Sequence, residues 1–218
     1  MPLTCENEHE MTGDCNPWLE IPADDYEGHM AQVGQLQALD RILAEVLAEV
    51  RPARLALPGC TTGNGLEHVD SDVTELVLGI DLNPRYLRTL QRRFGALRGL
   101  HLLCADLARC SFRPAVFDLV HAALLLEYVD PGAVVPEMAR WLRPGGTLSV
   151  VLQLPSKESA PVSETPYTSL KALAPLLHLV PPEELERIAT GCGLSLERSW
   201  RVPLPRGKAF WVGMFRAR

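Results

Sequence analysis

Three features of the sequence sit where short apolar runs end. The first is the loop Gly59-Cys60-Thr61-Thr62-Gly63-Asn64-Gly65, which follows Leu55-Ala56-Leu57-Pro58. Glycines there let the backbone pass close to a ligand, and a helix opening at Gly63 would add free N–H groups. The second is Asp81, at the end of ELVLGI, and the third is Asp106, in CADL. A dinucleotide fingerprint wants glycine at the first, third and sixth positions of such a loop. Counted from Gly59, the third and sixth are Thr61 and Asn64, so it fails. The G-x-x-x-x-G-K-[ST] phosphate loop fails too, because no lysine follows. What remains suits a nucleoside-like ligand without phosphates. One carboxylate can accept from both hydroxyls of a ribose and the other from an adenine amino group. Taken alone, each Asp reads equally well as a helix N-cap. All three at successive strand ends point into one crevice.

The elements that must hold these residues alternate. Val33, Leu36, Leu39, Leu43, Val46, Leu47 and Val50 recur at helical steps before Pro52. Strands are expected at Arg54–Leu57, Glu75–Ile80, Leu100–Cys104, Phe117–Leu125 and Thr147–Leu154. Helices are expected from Gly63 to Val69, from Asn83-Pro84, over Val134–Leu142 and over Pro182–Thr190. Nearly all-apolar strands alternating with helices predict a doubly wound α/β sheet, mostly parallel. Leu194–Val202 and Lys208–Arg216 alternate like half-buried strands and predict an antiparallel hairpin at one edge. Leu170, Leu173, Leu176 and Leu177 predict a short amphipathic helix serving as core or pocket wall. The arginines 85, 88, 92 and 93 read as a solvated helix face.

At 218 residues, with a net charge of -6, 47% hydrophobic and 22% charged residues, the chain has a globular composition. Disordered, collagen-like and disulfide-packed classes are excluded, and one domain is expected, from residue 33 to 218. Residues 1–32 read as a tail followed by a lid segment that starts near Pro17-Trp18. The acidic balance argues against nucleic acid as a partner. No apolar stretch is long enough for a membrane span, and no signal-peptide pattern opens the chain, so a cytoplasmic protein is expected. Six scattered cysteines without a CxxC pair read as free thiols. Cys5, His9 and Cys15 match no zinc spacing, and no metal is expected. A homodimer is left open.

GCTTGNG after the first strand, GIDLNP after the second, CADL after the third, FDLVHAALLLEYV at the fourth and WLRPGG before the fifth resemble, in this order, the class I methyltransferases that depend on S-adenosylmethionine (SAM). The resemblance runs from about residue 33 to the C-terminus. It implies a seven-stranded Rossmann-like sheet whose last two strands are the terminal hairpin, with SAM as cofactor. It also implies that Gly59, Cys60 and Gly63 line the methionine and ribose side. Asp81 would bind the ribose hydroxyls and Leu82 would pack on the adenine. Asp106 would hold the adenine amino group with Leu107 beside it, and His121, Ala122 and Ala123 would lie below the sulfonium. The chain departs from the family twice. Leu57 stands where an acid is usual, which leaves Glu20, Asp24 and Asp25 as candidates to replace it, and Thr61 stands where glycine is frequent.

The implied reaction is an in-line displacement on a small-molecule acceptor. Alignment alone lowers such a barrier by roughly 7 to 11 kcal/mol, so no conspicuous catalytic residue is required. Candidates near the acceptor are His121 as a base, and Glu127 and Tyr128 after the fourth strand. Tyr26 and His29 are candidates for binding the substrate from a lid. The alternative from a different class is a SAM- or nucleoside-binding protein that transfers no methyl group.

Overall fold

The computed structural model describes residues 16–157 and 160–218. Cys5, His9, Cys15 and most of the expected tail lie outside the described residues. Seven strands form one sheet in the order β3-β2-β1-β4-β5-β7-β6. They are β1 (Arg54–Pro58), β2 (Leu76–Asp81), β3 (Leu100–Cys104), β4 (Phe117–Ala123), β5 (Leu142–Gln153), β6 (Leu194–Pro203) and β7 (Ala209–Ala217). The first five pair in parallel. β7 inserts antiparallel between β5 and β6, so the expected hairpin closes one edge. The order reverses between β1 and β4, which opens a crevice at their carboxyl ends.

Alternation along the strands explains the layers. Leu55 and Leu57 of β1 enter one apolar cluster and Ala56 the other. Helices α1 (Ala23–Gln32), α2 (Gln35–Val50) and α3 (Pro84–Phe94) cover the first face. Helices α4 (Pro131–Trp141) and α5 (Pro182–Gly191) cover the second. α2 places Leu39, Ile42, Leu43, Val46 and Leu47 against the sheet. Each such large side chain contributes roughly 1.5–3 kcal/mol when fully buried. α3 begins as its sequence requires: Asn83 Oδ1 accepts from Arg85 N at 2.9 Å, with Pro84 in the first turn. Arginines 85, 88, 92 and 93 are exposed, as expected of a solvated face.

Three expectations need correction. The helical pattern from Val33 to Val50 forms one helix only from Gln35, because Val33 closes the separate helix α1 and Gly34, with φ of 75°, breaks the chain between the two. No α-helix follows the glycine loop: only a 3-10 turn forms, at Leu66–His68. The cause is local, because Gly63 and Gly65 both take left-handed φ values, 89° and 86°, which an α-helix cannot include. The leucine stripe near residue 170 also forms a 3-10 helix, Thr168–Leu173, with Leu170 and Leu173 buried.

Candidate active site

A cavity of about 350 Å³ opens at the carboxyl ends of the parallel strands. Gly59 and Thr61 after β1, Asp81 and Leu82 at β2, Ala105 to Ala108 after β3 and Ala123 to Leu125 after β4 line one end. The other end is lined by His29, Met30 and Gln35 from the first two helices, by Gln153 at the end of β5, and by Pro161, Val162, Leu170, Leu173 and Leu177.

Asp81 is buried, and its two oxygens are separately engaged. Oδ2 accepts from Thr61 N and Oδ1 from Asn83 N, each at 2.8 Å. Burial pushes its pKa up, while the backbone N–H groups of Asn83, Thr61 and Leu82 pull it back. Thr61 keeps the conformation that a glycine would favour, with φ at 46°, and its N–H bond to Asp81 holds it there. Leu124 across the crevice is also left-handed, with φ at 52°. The Thr61 departure therefore leaves the loop's shape in place. Asp106 caps the next turn, its Oδ1 accepting from Ala108 N at 3.0 Å, and it lines the cavity.

Leu57 lies 6% exposed in the core, where it walls a second hollow of about 50 Å³ with Cys60, Gly63, Leu39, Leu43 and His121. Glu20, Asp24 and Asp25 are not among the residues lining the larger cavity, and Asp25 is engaged by the Ser169 hydroxyl at 2.6 Å. The acid that reaches the glycine loop is Glu27 on α1. It accepts from the Thr62 hydroxyl and from both terminal nitrogens of Arg93, the Nη2–Oε2 contact measuring 2.9 Å. Those bonds hold its carboxyl below the usual range. Glu27 thus ties α1, the loop and α3 together at the cavity's back.

The remaining candidates divide. Gly59, Asp81, Leu82, Asp106, Leu107, Tyr128, Tyr26 and His29 all line the larger cavity. Cys60, Gly63 and His121 line only the smaller hollow, and Ala122 is fully buried in the opposite core layer. His121 bonds Ser149 through Nδ1 at 3.0 Å, and burial pushes its pKa down to about 4, so it is neutral near pH 7. Glu127 is 1% exposed and stands behind the cavity wall. Its Oε1 accepts from Gln153 N at 2.7 Å, while Oε2 has no partner among the described residues. Burial pushes its pKa up to about 7.

Four aromatic rings run along the cavity as a chain of edge and tilted contacts: Tyr128 to Trp18 at 4.9 Å, Trp18 to Tyr26 at 6.1 Å and Tyr26 to Tyr86 at 5.6 Å between centroids. This run of rings joins the loop after β4 to α1 and α3, so the segment around Trp18 packs on the sheet's helical layer. Sequence reasoning missed Tyr86, Gln35 and Gln153 as wall residues. Tyr86 reads as one apolar position of a helix, and nothing local marks its buried hydroxyl, which has no partner among the described residues. The two glutamines are 118 residues apart and meet only in three dimensions, Gln35 Nε2 donating to Gln153 Oε1 at 3.0 Å.

Residues 57–150 match a family model described as a methyltransferase domain. Over 123 residues the chain is 31% identical to malonyl-[acyl-carrier protein] O-methyltransferase of Herminiimonas arsenicoxydans, a stretch covering 54% of this chain and 45% of that protein. Over 126 residues it is 35% identical to trans-aconitate 2-methyltransferase of Methylobacterium nodulans, covering 56% and 46% respectively. The matched stretch thus spans about half the length of these curated relatives. The N-methyltransferase NodS from Bradyrhizobium japonicum WM9, solved with S-adenosyl-L-homocysteine (SAH), shares the fold with a TM-score of 0.64 at 18% identity, over 83% of this chain and 86% of that one. Motif order, sheet order and these matches agree on a methyltransferase-like segment over residues 57–150, set in the seven-stranded fold that the chain shares with solved methyltransferases.

Proposed function

We propose that the chain transfers a methyl group from SAM to a small-molecule acceptor, with residues 33–218 as the transferase domain and the segment before it as a cover over the cavity. The observation that carries this reading is Asp81. A buried carboxylate held by backbone N–H groups beside Gly59, at the point where the strand order reverses, is equipped to accept from two ribose hydroxyls. Leu82 and Leu107 offer apolar contact to an adenine, and Asp106 an acceptor for its amino group. Cys60, Gly63 and Ala122 support that wall from behind. The names of the two curated relatives, one acting on a malonyl carrier and one on trans-aconitate, support a small-molecule acceptor.

SAM supplies the methyl group and its own leaving group, so the chain's task is alignment and exclusion of water. Tyr128, Tyr26 and His29 face the acceptor. His29 Nδ1 is bonded to Thr165 Oγ1 at 2.9 Å, and burial and the charge of Lys208 push its pKa down, so it is neutral near pH 7. Glu127 positions Gln153 and does not touch the acceptor. His121, neutral and bonded to Ser149, supports the strand end. A binding protein without transfer is the weaker reading, because the matched relatives are transferases. No helix among the described residues is long and apolar enough to cross a membrane. A cytoplasmic location suits the free thiols of Cys60, Cys104 and Cys192, and the net charge of -6 disfavours nucleic acid.

The test is calorimetry with SAH on the intact protein and Asp81→Ala, followed by SAM turnover over an acceptor panel. The variant should lose about 1.5–3 kcal/mol of SAH binding, the usual worth of a hydrogen bond to a charged group. Absence of SAH binding by the intact protein would overturn the reading.

A further inference from the structure

Lys208, just before β7, is a cation in an unusual place. It is only 5% exposed, and its ammonium donates to the carbonyl of Pro161 at 2.7 Å. The same carbonyl accepts from Gln153 Nε2 at 3.0 Å, so ammonium and amide converge on one oxygen and are immediate neighbours. Both Gln153 and Pro161 line the cavity. Buried charges are ordinarily paired. Here no carboxylate among the described residues forms an ion pair with Lys208. Burial and then the charge of Arg206 lower its pKa, and Lys208 adds to the burial that lowers that of His29.

The positive charge therefore stands behind the one end of the cavity that the cofactor's strand-end residues do not reach. That end combines an apolar roof (Val162, Leu170, Leu173 and Leu177) with the neutral donors His29, Gln35 and Gln153. Amide and imidazole N–H groups can orient an anion, and a cation behind a low-dielectric wall favours one without touching it. Resting on the methyl-transfer reading above, we infer that the acceptor carries a carboxylate, which docks at the Gln35–Gln153–His29 end, with Lys208 as the residue that positions it by charge. A small carboxylic acid with an apolar body fits this end. The fastening of Pro161 is a separate role, and a neutral donor at position 208 can preserve it.

The experiment uses full-length protein loaded with SAH and measures, by calorimetry, the binding of butyrate, hexanoate and phenylacetate, each beside its neutral amide. At least one acid should bind, and its amide should bind about tenfold more weakly or not at all. Lys208→Gln should weaken the acid about tenfold while leaving SAH affinity and melting temperature within error, and Lys208→Arg should restore it. If none of the acids binds the SAH-loaded protein, the inference is wrong. It is also wrong if Lys208→Gln weakens acid and amide alike, because Lys208 then only fastens Pro161. Failure to load SAH at all would instead strike the methyl-transfer reading, so the two failures are distinguishable.

Discussion

The end of the cavity proposed above for the cofactor is made from the ends of four adjacent parallel strands, whereas the end proposed for the acceptor is assembled from α1, the start of α2, the last residue of β5 and residues 160–181. The first is rigid by construction. Gly59 N and Cys60 N both donate to Ile80 O, and Asp81 Oδ2 accepts from Thr61 N, so loop and strand are bonded within the sheet's own frame. The second is fastened mainly through side chains: Thr165 to His29, Ser169 to Asp25, and Gln153 and Lys208 to Pro161. Tyr167 also lies so close to Gly28 that a Cβ there would sit 2.2 Å from its ring. The cofactor end is thus a property of the fold, while the acceptor end is a set of contacts laid over it.

The largest effect that sharpens this contrast comes from Glu127, behind the acceptor end. Its pKa is raised to about 7, against an ordinary value of 4.5. Below about pH 4.5 the acid is neutral in both folded and unfolded chains, and the stability of the neutral buried form is fully present. As pH rises from there the unfolded chain ionises while the folded acid stays neutral, and the advantage is gone once pH has passed through about 7. At 1.36 kcal/mol per unit, intact protein should lose on the order of 3 kcal/mol relative to Glu127→Gln between about pH 4.5 and pH 8. Urea denaturation of both proteins across that range gives the difference. A flat difference would mean that Glu127 is paired or hydrated in the folded chain. His121 acts in the opposite sense, through stability lost as pH falls from 6.5 towards 4, and comparison with the Gln variant cancels it.

Gly28→Ala attacks the acceptor end alone. The added methyl group must displace the Tyr167 ring, at a cost of about 1–3 kcal/mol for overpacking, offset by up to about 1 kcal/mol of helix propensity. Amide exchange over residues 160–181 should speed up while SAH affinity stays unchanged. A parallel loss of SAH binding would show that the two ends are not separable. The smallest effect has the opposite sign. Tyr86→Phe removes a buried hydroxyl that has no partner among the described residues, so the free protein should gain up to about 1 kcal/mol in thermal denaturation. If the cofactor uses that hydroxyl, SAH affinity should fall severalfold in the same variant.

The contrast also explains what the sequence made legible. Strand ends are local features: Gly59, Asp81 and Asp106 are each the residue after a short apolar run, and the run alone locates them. The seven-stranded sheet closed by a terminal hairpin followed from the resemblance, whose motifs mark those same ends; the order of the strands came from the structure. The helix expected after Gly63 failed because an apolar pattern does not reveal that both of its glycines are left-handed. The acceptor end was hardly legible, because Gln35 with Gln153 and His29 with Thr165 are pairings across more than a hundred residues. Glu27 escaped notice for the same reason, since its partners Thr62 and Arg93 lie on other elements.

Among the described residues, the sheet order leaves β3 and β6 each with one row of backbone N–H and C=O groups that no strand pairs, open to a strand from another molecule. The two margins are guarded differently. β6 runs ten residues and carries exposed Glu197, Arg198 and Arg201, charges that an incoming strand would have to desolvate. β3 has the sequence Leu-His-Leu-Leu-Cys, without an acidic residue, a lysine, an arginine or a proline, and is guarded chiefly by being only five residues long. Self-association of a partly unfolded chain would therefore start at β3, on the cofactor side of the molecule, where short length is its main defence.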